Sequence, residues 1–409
     1  MILKISCGLF IIYYCLVSVI IPSTAVLLTP ICGLMMAVVL FYIIRRGHFM
    51  LNEIAFPIGC WLIFGIVSIV SSYFTARDVD MALDSALTFV KLTAMLFCVV
   101  FISREVDDYE YLIDIMYYIS LIYTVYMFAK GSFVGIRLVL GNANSDANVC
   151  LIGIVTGSLM IGKKNSRIHN FGIYASLFFF AYVNLMTGSR KSFICMAIYI
   201  TGWICIQYGL LWKQHKANAY VSGLLLIFIC WALIETVVLP IIYNSSTYSR
   251  FTSAASADEQ EIRINLYKEA WYYFQKSPIF GIGYNQFRVY NTQGIYSHST
   301  YAEILSNCGI IGTLLFFTPH FWCVKKILDV IRLKHLKQRE TRNAFLILVY
   351  FITTLILATG MVQTNNERVL LMYASIYAFI YCEIERETKD EQLKKALYLH
   401  ETKHLKYIR

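Results

Sequence analysis

A chain of 409 residues that is 58% apolar and only 15% charged carries more hydrophobic surface than one soluble core can bury. Its mean hydropathy of +0.61 sets it among integral membrane proteins and excludes the globular, disordered and fibrous classes. The net charge of +10 is sorted between alternate loops and not gathered on one basic face, so no nucleic-acid partner is expected.

Apolar runs long enough to cross a hydrocarbon core of roughly 30 Å predict about 12 transmembrane helices. They cover 5–21, 24–44, 54–74, 85–102, 111–129, 148–162, 170–188, 192–212, 219–240, 301–323, 344–362 and 366–384. The run 148–162 is short, and 111–129 contains Asp114. Backbone groups in hydrocarbon must be paired within the segment, and these runs are too long for barrel strands, so the expected fold is all-α. The first run is expected to stay as a span. It follows Lys4, shows no small-residue cleavage site before Pro22, and is succeeded at once by another apolar run.

With the N-terminus cytoplasmic, inner segments take most of the 35 Lys and Arg residues: Arg45-Arg46, Lys163 to Arg167, Lys213 and Lys216, Lys325 to Arg342, and the tail. Such an excess sets orientation, placing both termini inside. The loop Arg104 to Glu110, rich in acids, is the weakest fit. Nearly all of the 12 cysteines fall within apolar runs and there is no Cys-x-x-Cys, so they read as small buried side chains.

Most loops are short, giving one membrane domain over 1–385 and a charged cytoplasmic tail over 386–409. One large loop, 241–299, lies between the ninth and tenth spans and faces outward. Within it Glu259 to Gln275 reads as a helix, with Ile262, Leu266, Ala270, Tyr273 and Phe274 on one face, suited to lying on the membrane surface. Ser277-Pro278 ends it. The other outer segments are Lys130 to Asn148, whose small polar residues favour turns, and the short Thr187 to Ser192.

Arg190 and Lys191 sit between two spans with almost no loop around them. Snorkelling anchors are the plainer role for such a pair. Positive residues are disfavoured on the outer side, however, and a guanidinium beside the Thr187 and Ser189 hydroxyls suits bidentate binding of a phosphate. Arg263, near the start of the loop helix, opposes the helix dipole, so helix stability does not explain it. Arg263 and Arg137 could equally be solvated surface cations. Thr300 and Glu303 form a capping box that starts the tenth span, which gives Glu303 a structural task and leaves His298 just ahead of a helix. The dipole and nearby arginines disfavour imidazolium, and a neutral imidazole can act as general base on a sugar hydroxyl. Gly309 and Gly312 would permit close helix approach. Gly281-x-Gly283 lies in no βαβ pattern and is not a dinucleotide site. No cluster has metal-ligand spacing, and no cofactor is expected.

Taken together, these segments resemble the O-antigen ligase and O-antigen/capsular-polysaccharide polymerase superfamily. The matching elements are Thr187-Gly188-Ser189-Arg190, Arg263 to Tyr267, Pro278 with Gly281 and Gly283, and His298-Ser299 with Gly309. An upstream segment, Arg137 with Gly141 to Asn144, is similar too. Ser299 stands where that pattern more often has Asn. The resemblance implies a metal-independent, inverting, GT-C-like glycosyltransferase using a polyprenyl-pyrophosphate-linked oligosaccharide in the bacterial inner membrane, with the active site outside. It implies His298 as base, and Arg190, Arg263 and Arg137 on the pyrophosphate. Lys191, Ser189, Asn144 and Glu303 would support them, and membrane lipids, a chain-length regulator or a flippase would be partners. A polymerase joining repeat units, a ligase moving finished glycan to a lipid or protein acceptor, and a twelve-helix transporter remain as alternatives. The transporter is disfavoured because the long loop follows the ninth span, not the sixth, and the charges lie at the outer edge.

Overall fold

The computed structural model describes residues 2–17, 20, 27–46, 55–130, 143–164, 166–214, 235, 239–252, 255–333, 338–364, 366 and 368–386. Among them every regular element is helical. The helices are α1 (Ile2–Ile12, continued by a π-turn at Tyr13–Val17), α2 (Leu28–Arg46), α3 (Ala55–Thr75), α4 (Val79–Glu105), α5 (Glu110–Ala129), α6 (Ala143–Met160), α7 (Arg167–Met186) and α8 (Arg190–Gln214). Then come α9 (Leu239–Tyr243), α10 (Ser246–Thr252), α11 (Ala255–Lys276), α12 (Phe287–Tyr290), α13 (Thr300–Ile331) and α14 (Gln338–Leu357), and finally α15 at 368–386. Eight of the described helices are long and apolar enough to cross a membrane: α2, α3, α4, α5, α7, α8, α13 and α14. Of the expected span at 219–240, all but residues 235, 239 and 240 lie outside the described residues.

α6 and α15 form the interior of the bundle. Asp146 to Met160 of α6 are all buried, as are residues 368–383 of α15. α6 is a weak span by sequence, short and with Asn144, Asp146 and Asn148 near its start; the chain buries Asp146 and Asn148 inside protein and leaves Asn144 half-buried. Next to it, Trp61 of α3 is fully buried among Phe89, Phe316 and Tyr373, and its indole donates to the Phe316 carbonyl at 3.0 Å. Such interdigitation, more than a hydrophobic drive, joins helices in lipid.

The two ends of the bundle differ in chemistry. At one end Lys163 bonds Asp114 (2.6 Å) and Glu110 (3.3 Å), and Arg339 bonds Glu110 (2.9 Å). At that end Lys4 also pairs with Asp108, and Arg386 with Glu383 at 2.8 Å. Asp114, the oddity of its apolar run, is thus neutralised at a helix end. At the opposite end lie the α3–α4 and α7–α8 turns, residues 239–252 and 255–299, and the stretch 358–364.

Three expectations change here. The run 344–362 is not one helix: α14 stops at Leu357, and 358–364 turns across the bundle. The segment Lys130 to Asn148 is not all turn, because α6 begins at Ala143. α11 extends beyond the expected 259–275, and its buried face packs on protein. Leu266 and Ala270 contact Phe287 and Ala302 of the neighbouring elements, while Ile262 is exposed. A short amphipathic stripe cannot distinguish a lipid surface from a partner helix.

Candidate functional site

The site is organised by a break in α13. At Gly309 the backbone is non-helical (φ 62°, ψ −161°), and the segment 278–283 occupies the gap. Ile282 and Gly283 donate to the carbonyls of Ser306 and Asn307 (3.1 and 3.0 Å), and Ile310 donates to Pro278 O (2.8 Å). The interrupted helix therefore keeps its polar groups paired, as a buried backbone requires. A Cβ at Gly281 would stand closer than 3.0 Å to the Asn307 and Cys308 backbone, and one at Gly309 equally close to Ile279 O. Both glycines also have positive φ. These contacts are the physical reason for glycine at both positions.

The inserted segment is clamped from the far side by the α3–α4 turn. Gln286 is fully buried; its Oε1 accepts from Arg77 N and Asp78 N (2.9 and 2.8 Å), and its Nε2 donates to Asp78 O (2.8 Å). Phe287 N donates to Asn307 Oδ1 at 2.7 Å. Tyr273 of α11 reaches Tyr290 O (2.6 Å), and Glu269 accepts from Thr292 N (2.9 Å). Loop and helix are thus one rigid unit.

His298 sits at the head of α13 with φ +58°, a conformation that costs a non-glycine residue of order 1–3 kcal/mol and persists only when its surroundings fix it. They do. Ser297 N donates to Glu303 Oε2 (2.8 Å), Ser297 Oγ donates to Ser299 O (2.9 Å), and Ser299 N donates back to Ser297 Oγ (3.3 Å). The half-buried imidazole lies against Tyr296, ring centroids 4.3 Å apart. The helix start is displaced by one residue from the expected capping box: Ser299 is the N-cap, and its Oγ faces Ala302 N at 3.5 Å. Thr300 instead fastens α13 to the stretch after α14. Glu303, almost wholly buried, holds Ser297 N and Asn307 Nδ2 (3.1 Å), the structural task expected of it by a different geometry.

The stretch 358–361 ties the separate signature elements together. Ala358 O and Met361 O accept from Thr300 N and Oγ1, both at 2.8 Å. Thr359 O accepts from Lys191 Nζ and from Tyr267 Oη (3.2 Å). Gly360 O accepts from Asn144 Nδ2 at 3.0 Å, and Asn144 Oδ1 accepts from Ser189 Oγ at 2.6 Å. Ser189 also accepts from Ser192 N (3.2 Å), which makes it the N-cap of α8.

Arg190 and Lys191 therefore occupy the first turn of a long helix, whose dipole favours an anion there. Arg263 comes to the same place from α11: the Arg263 and Arg190 charges both act on the Lys191 ammonium. α11 starts at Ala255, so Arg263 lies in its third turn and not at its start; the dipole conflict expected from sequence is absent. Burial raises the Tyr267 phenol above its ordinary value, with Arg263 opposing, so Tyr267 stays a donor. Three cationic side chains thus gather near one helix N-terminus, where the dipole also favours negative charge.

The structure brings Arg190, Lys191, Arg263, Ser189, Asn144, Glu303 and His298 to one end of the bundle around 358–361. Arg137 lies outside the described residues. Among the described residues, no three His, Cys, Asp or Glu side chains cluster as metal ligands. Sequence reasoning missed the 358–364 stretch, Gln286 and Arg368. Hydropathy hid the stretch, because Ala358, Met361 and Val362 continue the apolar run of α14.

Fold and site together define a helical membrane protein with a cationic site and a constrained histidine at one end. Residues 175–317, which hold Arg190, Arg263 and His298, match the family model described as O-Antigen ligase. The match supports the resemblance to the O-antigen ligase and polymerase superfamily, and with it a ligase- or polymerase-type, glycosyltransferase-like role on a lipid-linked oligosaccharide. No curated protein matches the chain.

Proposed function

We propose that the protein is a polysaccharide polymerase that transfers a polyprenyl-pyrophosphate-linked glycan to a sugar hydroxyl of another lipid-linked repeat unit. The convergence on residues 358–361 of the segments that carry Arg190, Lys191, Arg263 and His298 supports this reading. Arg190 and Arg263 bind the pyrophosphate, Lys191 fixes the strip beneath it, and Arg137 adds a further cation. His298 takes the proton of the acceptor hydroxyl as its oxygen bonds to the anomeric carbon. The bond from that carbon to the phosphate oxygen breaks, and the electron pair leaves with the pyrophosphate, whose growing charge the arginines stabilise. Attack opposite the leaving group inverts the anomeric centre, and the cations supply the charge that a metal would otherwise provide.

In this reading the chain is a GT-C-like, twelve-helix protein of a bacterial inner membrane. Both termini and the ion-paired end are cytoplasmic, and the site is exterior, where a flippase delivers substrate and a chain-length regulator would dock. The compact passage from Arg263 to His298 favours a polymerase. The ligase form, with a lipid or protein acceptor, is favoured by the description of the matching family. The test is His298→Ala in reconstituted vesicles. Transfer should stop while the folded variant still binds the lipid-linked donor; full activity in the variant removes the general base.

A further inference from the structure

Residues 359–364 have two sides. One carries the Thr359 carbonyl that holds Lys191 and Tyr267 beside Arg263. The other borders a cavity of about 430 Å³, bounded also by the 284–296 segment, the first turns of α13 and the start of α15. That volume falls in the range of small-ligand sites, about 300–1,000 Å³. Neither Arg190, Arg263 nor His298 lines it.

Its walls are the chemistry of a hydroxyl-rich ligand. Tyr284 and Tyr296 offer aromatic faces, Asn285 an amide, Arg288 and Arg368 guanidinium forks, and Glu303 a carboxylate. Arg368 is only 5% exposed and is held by donation to Cys15 O at 3.1 Å and by the Tyr123 ring at 5.5 Å. Asn285 is held by Ser85 (2.7 Å), so the wall is preformed. Tyr296 lines the cavity and also lies against the His298 imidazole. A sugar bound there lies one ring from the base, with the cations across the strip.

We propose that this cavity is the subsite for the acceptor's sugar, an assignment that rests on the transferase function proposed above. The donor's pyrophosphate lies on one side of 359–364 and the acceptor on the other, with His298 between them. Arg288, exposed and engaging Glu303 electrostatically, is the most accessible group for ligand hydroxyls.

The test uses the full-length protein in nanodiscs, with unchanged thermal unfolding required of each variant. The probes are the oligosaccharide released by mild acid from the host's own lipid-linked repeat unit, and bare polyprenyl pyrophosphate. Arg288→Ala should weaken oligosaccharide binding about tenfold, the effect of losing a charge-assisted bond. Val362→Trp, which fills the cavity, should abolish it. Both variants should bind bare polyprenyl pyrophosphate like the wild type, and the wild type given the lipid-linked unit should extend the bound oligosaccharide by transfer of its glycan. Undiminished oligosaccharide binding in both variants overturns the subsite. So does wild-type binding of the lipid without the oligosaccharide, and so does an oligosaccharide that binds but is never extended by the lipid-linked unit, which would give the cavity to the donor's glycan. Failure of wild-type protein to bind bare polyprenyl pyrophosphate would remove the transferase reading, and the subsite with it.

Discussion

Replacing Gly281 by Ala tests the account of the α13 break. The new methyl group would meet the backbone of Asn307 and Cys308, not the yielding end of a side chain, at less than 3.0 Å. Ordinary carbon contact then requires 278–283 and α13 to part by roughly 1 Å. That separation breaks the bonds from Ile282 N and Gly283 N to Ser306 O and Asn307 O, each worth about 1 kcal/mol net. The residue also has φ +75°, which costs an L-residue about 1–2 kcal/mol. The expected destabilisation is about 3–4 kcal/mol, with loss of transfer because His298 rides on the same unit. Gly294 provides the control: its φ is +67°, but nothing lies within 4 Å of its Cβ position. Gly294→Ala should cost only the conformational part, about 1–2 kcal/mol. Thermal unfolding in detergent together with a transfer assay reads both. A Gly281→Ala protein as stable and active as Gly294→Ala would refute the inserted-segment account.

The other predictions concern the cationic site and its supports. Arg190→Lys keeps the charge but loses the fork, and should reduce transfer by about 10- to 100-fold at unchanged stability; equal activity would make Arg190 a membrane anchor. A Cβ at Gly360 would collide with the Lys191 side chain, so Gly360→Ala should displace Lys191 and raise the dissociation constant for polyprenyl pyrophosphate. Unaltered lipid binding would remove Lys191 from the support of that site. Glu303→Ala strands the buried Ser297 N–H and should lower stability by about 1–3 kcal/mol. Glu303→Gln keeps an acceptor and should retain most activity, whereas loss of turnover at full stability would make the carboxylate catalytic.

What the chain discloses follows the range of each interaction. Spans such as Ala55–Thr75 and Val79–Glu105 are legible because hydropathy and helix length are local properties. The signature elements around Arg190, Arg263 and His298 are legible as residue types in order. The reason for Gly281 is not, because the atoms it must avoid belong to Asn307 and Cys308, brought close only by the fold. The α13 cap slipped by one residue because Ser299 and Thr300 are both competent caps, and only the bonds from Thr300 to Ala358 and Met361 decide between them. Residues 358–364 were lost in an apolar run whose composition does not change where the helix stops. The Leu266–Ala270 stripe was read as a face suited to the membrane surface, whereas it packs on Phe287 and Ala302, because a stripe names no partner.

The most direct test of the central claim is reconstitution of the purified protein in vesicles with its lipid-linked repeat unit and no second acceptor, with the products resolved on a gel. The account predicts a ladder of lengthening glycans that disappears with His298→Ala. A folded wild-type protein that binds the lipid-linked unit yet yields no transfer, with or without an added acceptor, would contradict it.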